Sequence, residues 1–422
     1  MAARTGLVVA GAGARGAYEA GALTELLPRM TRTWSRPSVL VGTSAGALNV
    51  AALAGLSHLD PADAAAEVVD RWRSVRTDEV VALPSSAVRG AGAYVGDLLG
   101  VPAGLRRALG LPDRLTRLLD ADRLRPVLDR VVDWDGLHDA VTRGAVDAVG
   151  VATTSADTGG TVVFVECGDD TRLPPYDAGR DIRYVRTRLS PEHLLASAAV
   201  PVLFSPVHLD PAYLDPADGT DLAGWYLDGG VRMNTPLKPA LRLGADRIGV
   251  VATTPAVPDR PLRRDTDGAG PEHVPDVYAV AALTLRIVLG ADVTEDLRTL
   301  RAVNDLVFHG TDTRHQRVGT WFAGPPVDRA TELAELAHRV RRTEYGGLRA
   351  LRNPSLLVLE RLVGGAVPAA GAGADRTDHA ELLSFLFFDP AFATAAAALG
   401  AEHAAGATRP DTAPRRSRAR AR

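Results

Sequence analysis

Lysine is almost missing from this sequence: Lys238 is the single one, so nearly all the positive charge is arginine, and the formal net charge is only −3. A chain so close to neutral carries no global field that would draw it to a polyanion, and no nucleic-acid partner is expected. The arginine bias, together with abundant alanine, reads as a coding bias of a GC-rich genome. Cysteine is as scarce, with Cys167 alone; an internal disulfide is excluded, and no cysteine and histidine cluster has the spacing of a zinc site. No metal and no cofactor is called for. Long apolar runs are also missing. The start, MAARTGLVVAGAG, has a four-residue apolar run before its glycines, too short for a signal-peptide core, and nothing approaches the roughly 20 residues that span a bilayer. The expectation is a cytoplasmic enzyme, with at most peripheral contact at a membrane.

What is present is a 422-residue chain with 46% hydrophobic residues, enough for a sizeable core. Leu7 to Ala10 form an apolar run into a glycine-rich turn, followed from Ala17 to Met30 by alanine, leucine and methionine at helical spacing. The grammar repeats at once, with Val39 to Val41, then GTSAG, then a small-residue helix from Ala45 to Leu53. Two strand, loop, helix units in succession predict a parallel sheet covered by helices, with working loops at the carboxyl ends of its strands.

Further along, Pro61 to Arg73 and Leu115 to Val132 have helical patterns, separated by a Gly- and Pro-punctuated stretch from Pro84 to Pro112 that suits a flap. Ala145 to Thr153 and Thr161 to Glu166, split by SADTGG, read as two strands joined by a turn. A capped helix is expected from Ser190 to Ala199, stopped by Pro201, and short strands at Gly224 to Leu227 and Arg247 to Ala252. Asp259 to Pro275 is a polar linker into a long amphipathic pattern from Val277 to Val307, and Glu381 to Gly400 reads as two helices around Asp389-Pro390. The end, RPDTAPRRSRARAR, has no apolar periodicity. The division expected is a catalytic core over 1–260, a helical remainder over 261–403 and a disordered arginine-rich tail over 404–422.

Residues 42–46, GTSAG, set a lone hydroxyl between glycines where an apolar run ends. A sharp turn that projects a nucleophile needs this, yet a serine capping a helix looks the same. Acyl transfer also needs donors for an oxyanion, and Ala10-Gly11-Ala12-Gly13-Ala14-Arg15-Gly16 has the small side chains that leave backbone N–H groups accessible at the start of a helix. The same stretch is a G-x-G-x-x-G. A dinucleotide site expects an acidic residue at the end of the second strand, where this chain has Val41-Gly42-Thr43-Ser44. For a base, His273, His309 and His315 lack a catalytic-looking context, whereas Asp228, in Tyr226-Leu227-Asp228-Gly229-Gly230, ends a strand beside glycines. Asp-Gly is also a common turn pair.

Taken together, AGAGARGA at 10–17, GTSAG at 42–46 and LDGGVRMNTP at 227–236 resemble the three signatures of patatin-like phospholipases, with further framework-like segments at 196–207, 243–251 and 382–392. The resemblance spans roughly residues 5 to 400. It implies a three-layer α/β/α fold with a central mostly parallel sheet and extra C-terminal helices. It also implies a serine and aspartate dyad without histidine, acting on a lipid or phospholipid ester: Ser44 as nucleophile, Asp228 as base, and Gly11, Ala12 and Gly13 as the oxyanion hole, supported by Arg15, Gly16, Gly42, Ala45, Gly46, Gly229 and Gly230. Ala10 and Ala12 stand where the family usually has glycine, and the hole survives this if neither needs a positive φ. Arg15 matches a basic residue of the family's loop, as a brace or as a plain surface cation. Asn234 reads as a loop-stabilising amide. An acyl groove is expected from the apolar helices near the flap and between 277 and 307, with the flap or the arginine tail as a transient membrane contact. The competing readings are a Ser-His-Asp esterase, a dinucleotide-binding module and a catalytically silent lipid-binding protein.

Overall fold

The computed structural model describes residues 3–80, 121–201, 203–213, 222–256, 292–308, 316–346 and 375–407. The expected flap at 84–112, the linker at 259–275 and the arginine-rich stretch from 409 lie outside these residues.

Among the described residues a nine-stranded sheet runs through the centre, in the order β5-β4-β3-β2-β1-β8-β9, with β7 (Gly224–Asp228) paired to β3 and β6 (Val207–Leu209) paired to β7. Its middle is parallel: β1 (Thr5–Val9) lies between β2 (Val39–Thr43) and β8 (Arg247–Val251), and β3 (Ala148–Ser155) follows β2 in the same direction. Strand-long burial of β1 to β3 fits the near-continuous apolar runs by which a sheet covered on both faces is recognised. Side chains alternate between two cores. Leu7, Val9, Leu40, Val149 and Val151 face one, and Val8, Val39, Val41, Ile248 and Val250 face the other.

The first face carries most of the helices. They include α1 (Gly16–Thr33), α2 (Ala45–Gly55), α3 (Pro61–Arg73), the short α4 (Thr77–Val80), α5 (Arg125–Val131), α6 (Trp134–Thr142) and α7 (Pro191–Ser197). The second face is covered by α8 (Leu237–Arg242) and α9 (Asp292–Phe308). The mostly parallel three-layer α/β/α architecture is therefore as expected. Asp60 caps α3 at Ala62, and Ser190 and His193 form a reciprocal capping pair at the start of α7. The antiparallel hairpin of β3 with β4 (Thr161–Cys167) is the strand pair read around SADTGG. β5 (Ile182–Arg186) extends this edge in parallel to β4.

The C-terminal part differs from the helical remainder expected over 261–403. It contains β9 (Gly319–Ala323), which pairs in parallel with β8 and closes that edge of the sheet. This part also holds α9, α10 (Glu332–Tyr345), α11 (Asp375–Leu386) and α12 (Pro390–Ala405), the last of which carries the chain two residues past the boundary set for the tail. A strand at 319–323 was missed because Val318 to Ala323 alternates poorly, even though the Gly324-Pro325 turn pair follows it. The last two helices meet at Asp389, whose carboxylate accepts from the N–H groups of Ala391 and Phe392 and so starts α12. α12 lies along α1 at backbone contact: a Cβ on Gly21 would collide with the carbonyl of Ala397, and one on Gly400 with that of Tyr18. No single helix among the described residues is long and apolar enough to cross a membrane.

Candidate active site

The site is built where two strands end against each other along one edge of β3. Thr43, the last residue of β2, pairs with Ala152, and Asp228, the last residue of β7 (Gly224–Asp228), pairs with the next residue, Thr153. β2 runs parallel to β3 and β7 antiparallel, so their carboxyl ends meet, about one residue rise apart. Ser44 follows Thr43 directly, which brings its side chain beside Asp228.

Ser44 is held in a rare backbone conformation, φ 53 and ψ −124, between β2 and α2. A non-glycine residue there stores about 1–3 kcal/mol of strain, which persists only when the surroundings over-determine it. They do. The Ser44 N–H donates to Ser197 Oγ at 2.8 Å, Ser197 Oγ donates to the Ala152 carbonyl at 2.7 Å, and Thr43 Oγ1 donates to the Met233 carbonyl at 2.9 Å. Gly42 and Gly46 serve proximity. A Cβ on Gly42 would collide with the carbonyl of Gly46, and one on Gly46 with the carbonyls of Val9 and Ala10. Ser44 is thus no ordinary cap: its side chain makes no capping hydrogen bond to the start of α2.

Asp228 is fully buried. One oxygen, Oδ1, accepts the N–H of Gly230 at 2.6 Å, its backbone N–H donates to the Ala199 carbonyl at 2.9 Å, and its carbonyl accepts Thr154 Oγ1 at 3.0 Å. Burial pushes the carboxyl up to about 7, against the pull of hydrogen bonds from the Ser44 hydroxyl and the Gly230 N–H. The Ser44 hydroxyl is close enough to act on the carboxylate, yet Oδ2 has no well-aligned donor among the described residues. Gly229 sits against β3, where a Cβ would collide with the Ala152 carbonyl. Asp228 is therefore more than a turn residue: it is a buried carboxyl, raised by burial, beside the Ser44 hydroxyl.

The glycine-rich loop departs in one respect from expectation. Gly11 was placed among the oxyanion donors, but its N–H donates to the Asn234 carbonyl at 3.0 Å, while Asn234 Nδ2 donates back to the Gly11 carbonyl at 3.2 Å. Gly11 is a strut of the loop, and Asn234 is the loop-stabilising amide read from the sequence. The N–H groups of Ala12 and Gly13 have no acceptor among the described residues, and Ala45, first in α2, has no intrahelical acceptor for its own. Ala10 and Ala12 keep negative φ, so alanine suits both; Gly13, at φ 55, is the loop residue that needs glycine. Gly16 lets α1 begin beside Trp72, whose ring a Cβ would strike. Arg15 is no surface cation: it is 2% exposed, with Nε donating to Ser384 Oγ at 2.7 Å and an ion pair to Glu381 at 2.8 Å.

An apolar cavity opens on Ser44. Its walls come from Gly13 and Ala45, from α3 to α5 through Trp72, Val80 and Leu128, from Leu194 and Phe204, and from Phe385, Leu386 and Phe388 at and just beyond the end of α11. Ser44 carries the single hydroxyl among its described lining residues, and none of them is charged. The groove had been expected in part from 277–307. The described portion of that stretch, α9, instead packs Leu297 and Leu300 on the β8–β9 side of the sheet, on the face opposite the cavity.

The three buried histidines of the described residues are engaged elsewhere. His138 binds Glu166 at 2.7 Å, His403 binds Tyr18 at 2.9 Å, and His193 uses Nδ1 on Ser190 and Nε2 on the Tyr213 carbonyl. Burial lowers His193 to about 4, so it stays neutral. His273, His309 and His315 lie outside the described residues.

A family model described as patatin-like phospholipase matches residues 7–241, more than half of the chain. The chain belongs to the patatin-like phospholipase family. The match takes in all three signatures and ends before β8, so two of the framework-like segments, at 243–251 and 382–392, fall beyond it. No curated protein matches the chain. Among solved structures, VipD from Legionella pneumophila is similar at 14% identity with a TM-score of 0.28, over 78% of this chain and 65% of that one. The patatin-like chain thus spans just under two thirds of VipD. Sequence reasoning missed Ser197 and Phe385 in this patatin-like site; both lay inside segments noted only as framework, because a buried serine and a cavity phenylalanine have no local signature.

Proposed function

We propose that the protein is a serine acyl hydrolase that cleaves fatty-acyl esters of lipids through Ser44 and Asp228. The observation that carries the reading is the meeting of β2 and β7 along β3, with a strained serine facing a buried carboxylate whose pKa stands at about 7. A free aspartate, near 3.9, is a poor acceptor for a serine proton at neutral pH; one raised toward the working pH is a fit base.

In the first step Ser44 Oγ bonds to the ester carbonyl carbon while its proton passes to Asp228. The carbonyl oxygen, now negative, is held by the N–H groups of Ala12, Gly13 and Ala45, helped by the positive end of α2. The bond from carbon to the alcohol oxygen then breaks, and the alcohol leaves with the proton from Asp228. Water gives its proton to Asp228 and attacks the acyl-serine, releasing the fatty acid and returning the proton to Ser44 Oγ. The apolar cavity suits the acyl chain, because it offers hydrocarbon contacts and no charge that would be left without a partner. A triad finds no support, since the buried histidines of the described residues are committed to other partners.

Incubation with a fluorophosphonate and mass spectrometry of the labelled peptide tests this. Expected are labelling of Ser44 in the parent and its loss in Asp228→Asn. An unlabelled parent overturns the reading.

A further inference from the structure

The family match stops at residue 241, yet the cavity at Ser44 is completed by residues far beyond it, Phe385, Leu386 and Phe388. Phe385 meets the site three times over. Its side chain lines the cavity, and its carbonyl oxygen occupies the space that a Cβ on Gly13 would need. Its ring lies under the Arg15 guanidinium, 3.7 Å from the centroid.

Arg15 and Gly13 belong to the glycine-rich loop that lies against Ser44 and supplies the oxyanion donors of the proposed reaction. Arg15 is in turn clamped to α11 by Ser384 and by both the carboxylate and the carbonyl of Glu381. The far end of the same segment is fixed too, since Thr77 Oγ1 donates to the Phe388 carbonyl at 2.6 Å and Tyr345 donates to Asp389 at 2.5 Å. One stretch of chain, 381–388, therefore touches the acyl cavity and the donor loop at once. A buried guanidinium with a carboxylate, a hydroxyl and an aromatic face around it is a costly arrangement to desolvate, and replacing it with apolar packing is often at least as stable. Its geometry suits registration of two elements rather than bulk stability.

We propose that the segment 381–388 is the acyl-selecting wall of this hydrolase, and that Arg15 is a positioning residue that registers this wall with the oxyanion loop. The proposal rests on Ser44 being the nucleophile. Trimming the wall at Phe385 opens the cavity to longer chains, and uncoupling Arg15 lets the loop N–H groups drift from the oxyanion, where a displacement of about 1 Å costs about 100-fold in rate.

The test compares labelling rates of two fluorophosphonates, one bearing a butyl and one a dodecyl chain, on the full-length protein. The ratio of the two rates is internal to each sample, so an unfolded fraction cancels. Phe385→Ala, with Phe385→Leu as the milder variant, is expected to raise the dodecyl-to-butyl ratio by about tenfold, the discrimination typical of a hydrocarbon pocket. Arg15→Gln is expected to lower kcat per labelled site about 100-fold on a soluble ester while KM changes little, with partial recovery in Arg15→Lys. If the parent labels at Ser44 but the ratio stays within about twofold of the parent in both Phe385 variants, the wall is not selecting and the inference falls alone. If Arg15→Gln melts earlier yet turns over normally per labelled site, Arg15 is merely structural and the positioning role is overturned. A parent that never labels defeats the reading of Ser44 and the inference together.

Discussion

Ser197 Oγ accepts a hydrogen bond from the backbone N–H of Ser44 at 2.8 Å and donates one to the carbonyl of Ala152 at 2.7 Å, bridging the strained turn to β3. Both serines are buried. Replacing Ser197 with alanine leaves a buried N–H and removes one brace of the turn, at about 1–3 kcal/mol. The expected outcome is a lower melting temperature by calorimetry, and a kcat reduced about tenfold as the Ser44 hydroxyl loses its aim. Turnover equal to that of the parent would show that the turn holds itself.

The raised carboxyl of Asp228 makes activity and stability respond to pH in opposite senses. In the proposed mechanism hydrolysis needs the ionised form, so kcat/KM is expected to rise with pH through about 7 and level off above it. For stability, the folded pKa lies above that of the unfolded chain, so the protonated form favours the fold. This contribution is full below the unfolded value and is lost as pH rises through about 7. Asp228→Asn, neutral at every pH, therefore melts higher than the parent at about pH 9 and differs little from it at about pH 4. A difference that is constant across this range would contradict the shift.

The two glycines of the turn predict a steric threshold. Gly46→Ala places a methyl against the carbonyls of Val9 and Ala10, and Gly42→Ala places one against Gly46. These are backbone atoms at the end of β1 and in the first turn of α2, and they cannot step aside. Each variant is expected to lose more than about 3 kcal/mol, read as a collapse of soluble yield or of the denaturant midpoint. Ala45→Gly, between them, meets no such barrier and costs about 1 kcal/mol through helix propensity.

Glu19 carries a separate prediction. It is buried in α1, and burial drives its carboxyl well above the ordinary value, opposed by a hydrogen bond from Asn49 Nδ2 at 3.3 Å. Asn49 Oδ1 in turn accepts the indole N–H of Trp72 at 2.6 Å, behind the wall of the cavity. The neutral acid is the form that the fold favours, so its contribution fades as pH rises through the folded pKa. Glu19→Gln is expected to match the parent in thermal melts under acidic conditions and to gain on it steadily with increasing pH. A parent that is the more stable of the two at alkaline pH would refute this.

Much of the fold was legible because its signals are local. Val39 to Val41 with the glycines after it, the helical run from Pro61 to Arg73, and the Asp389-Pro390 pair between two helical runs are each encoded by neighbours within a few residues, and all three appear where they were read. β9 was not legible. Its five residues carry no alternation, and they become a strand because β8 offers an open edge. Arg15 could be read equally as brace or surface cation, since nothing near it in sequence announces Ser384 and Glu381 more than 360 residues away.

The sequence by itself determined the parts: a glycine-flanked serine after one strand, an aspartate at the end of another, and a loop of small residues, because steric room and hydrogen-bonding capacity belong to residue types and their immediate neighbours. Only the tertiary structure decided which of these parts meet. Pairing along β3 sets Asp228 one step beyond Thr43, the Asn234 carbonyl takes the N–H of Gly11 out of the donor set, and Phe385 arrives at Gly13 from the far end of the chain. Such meetings depend on strand register and helix packing between segments hundreds of residues apart, and no local pattern encodes them.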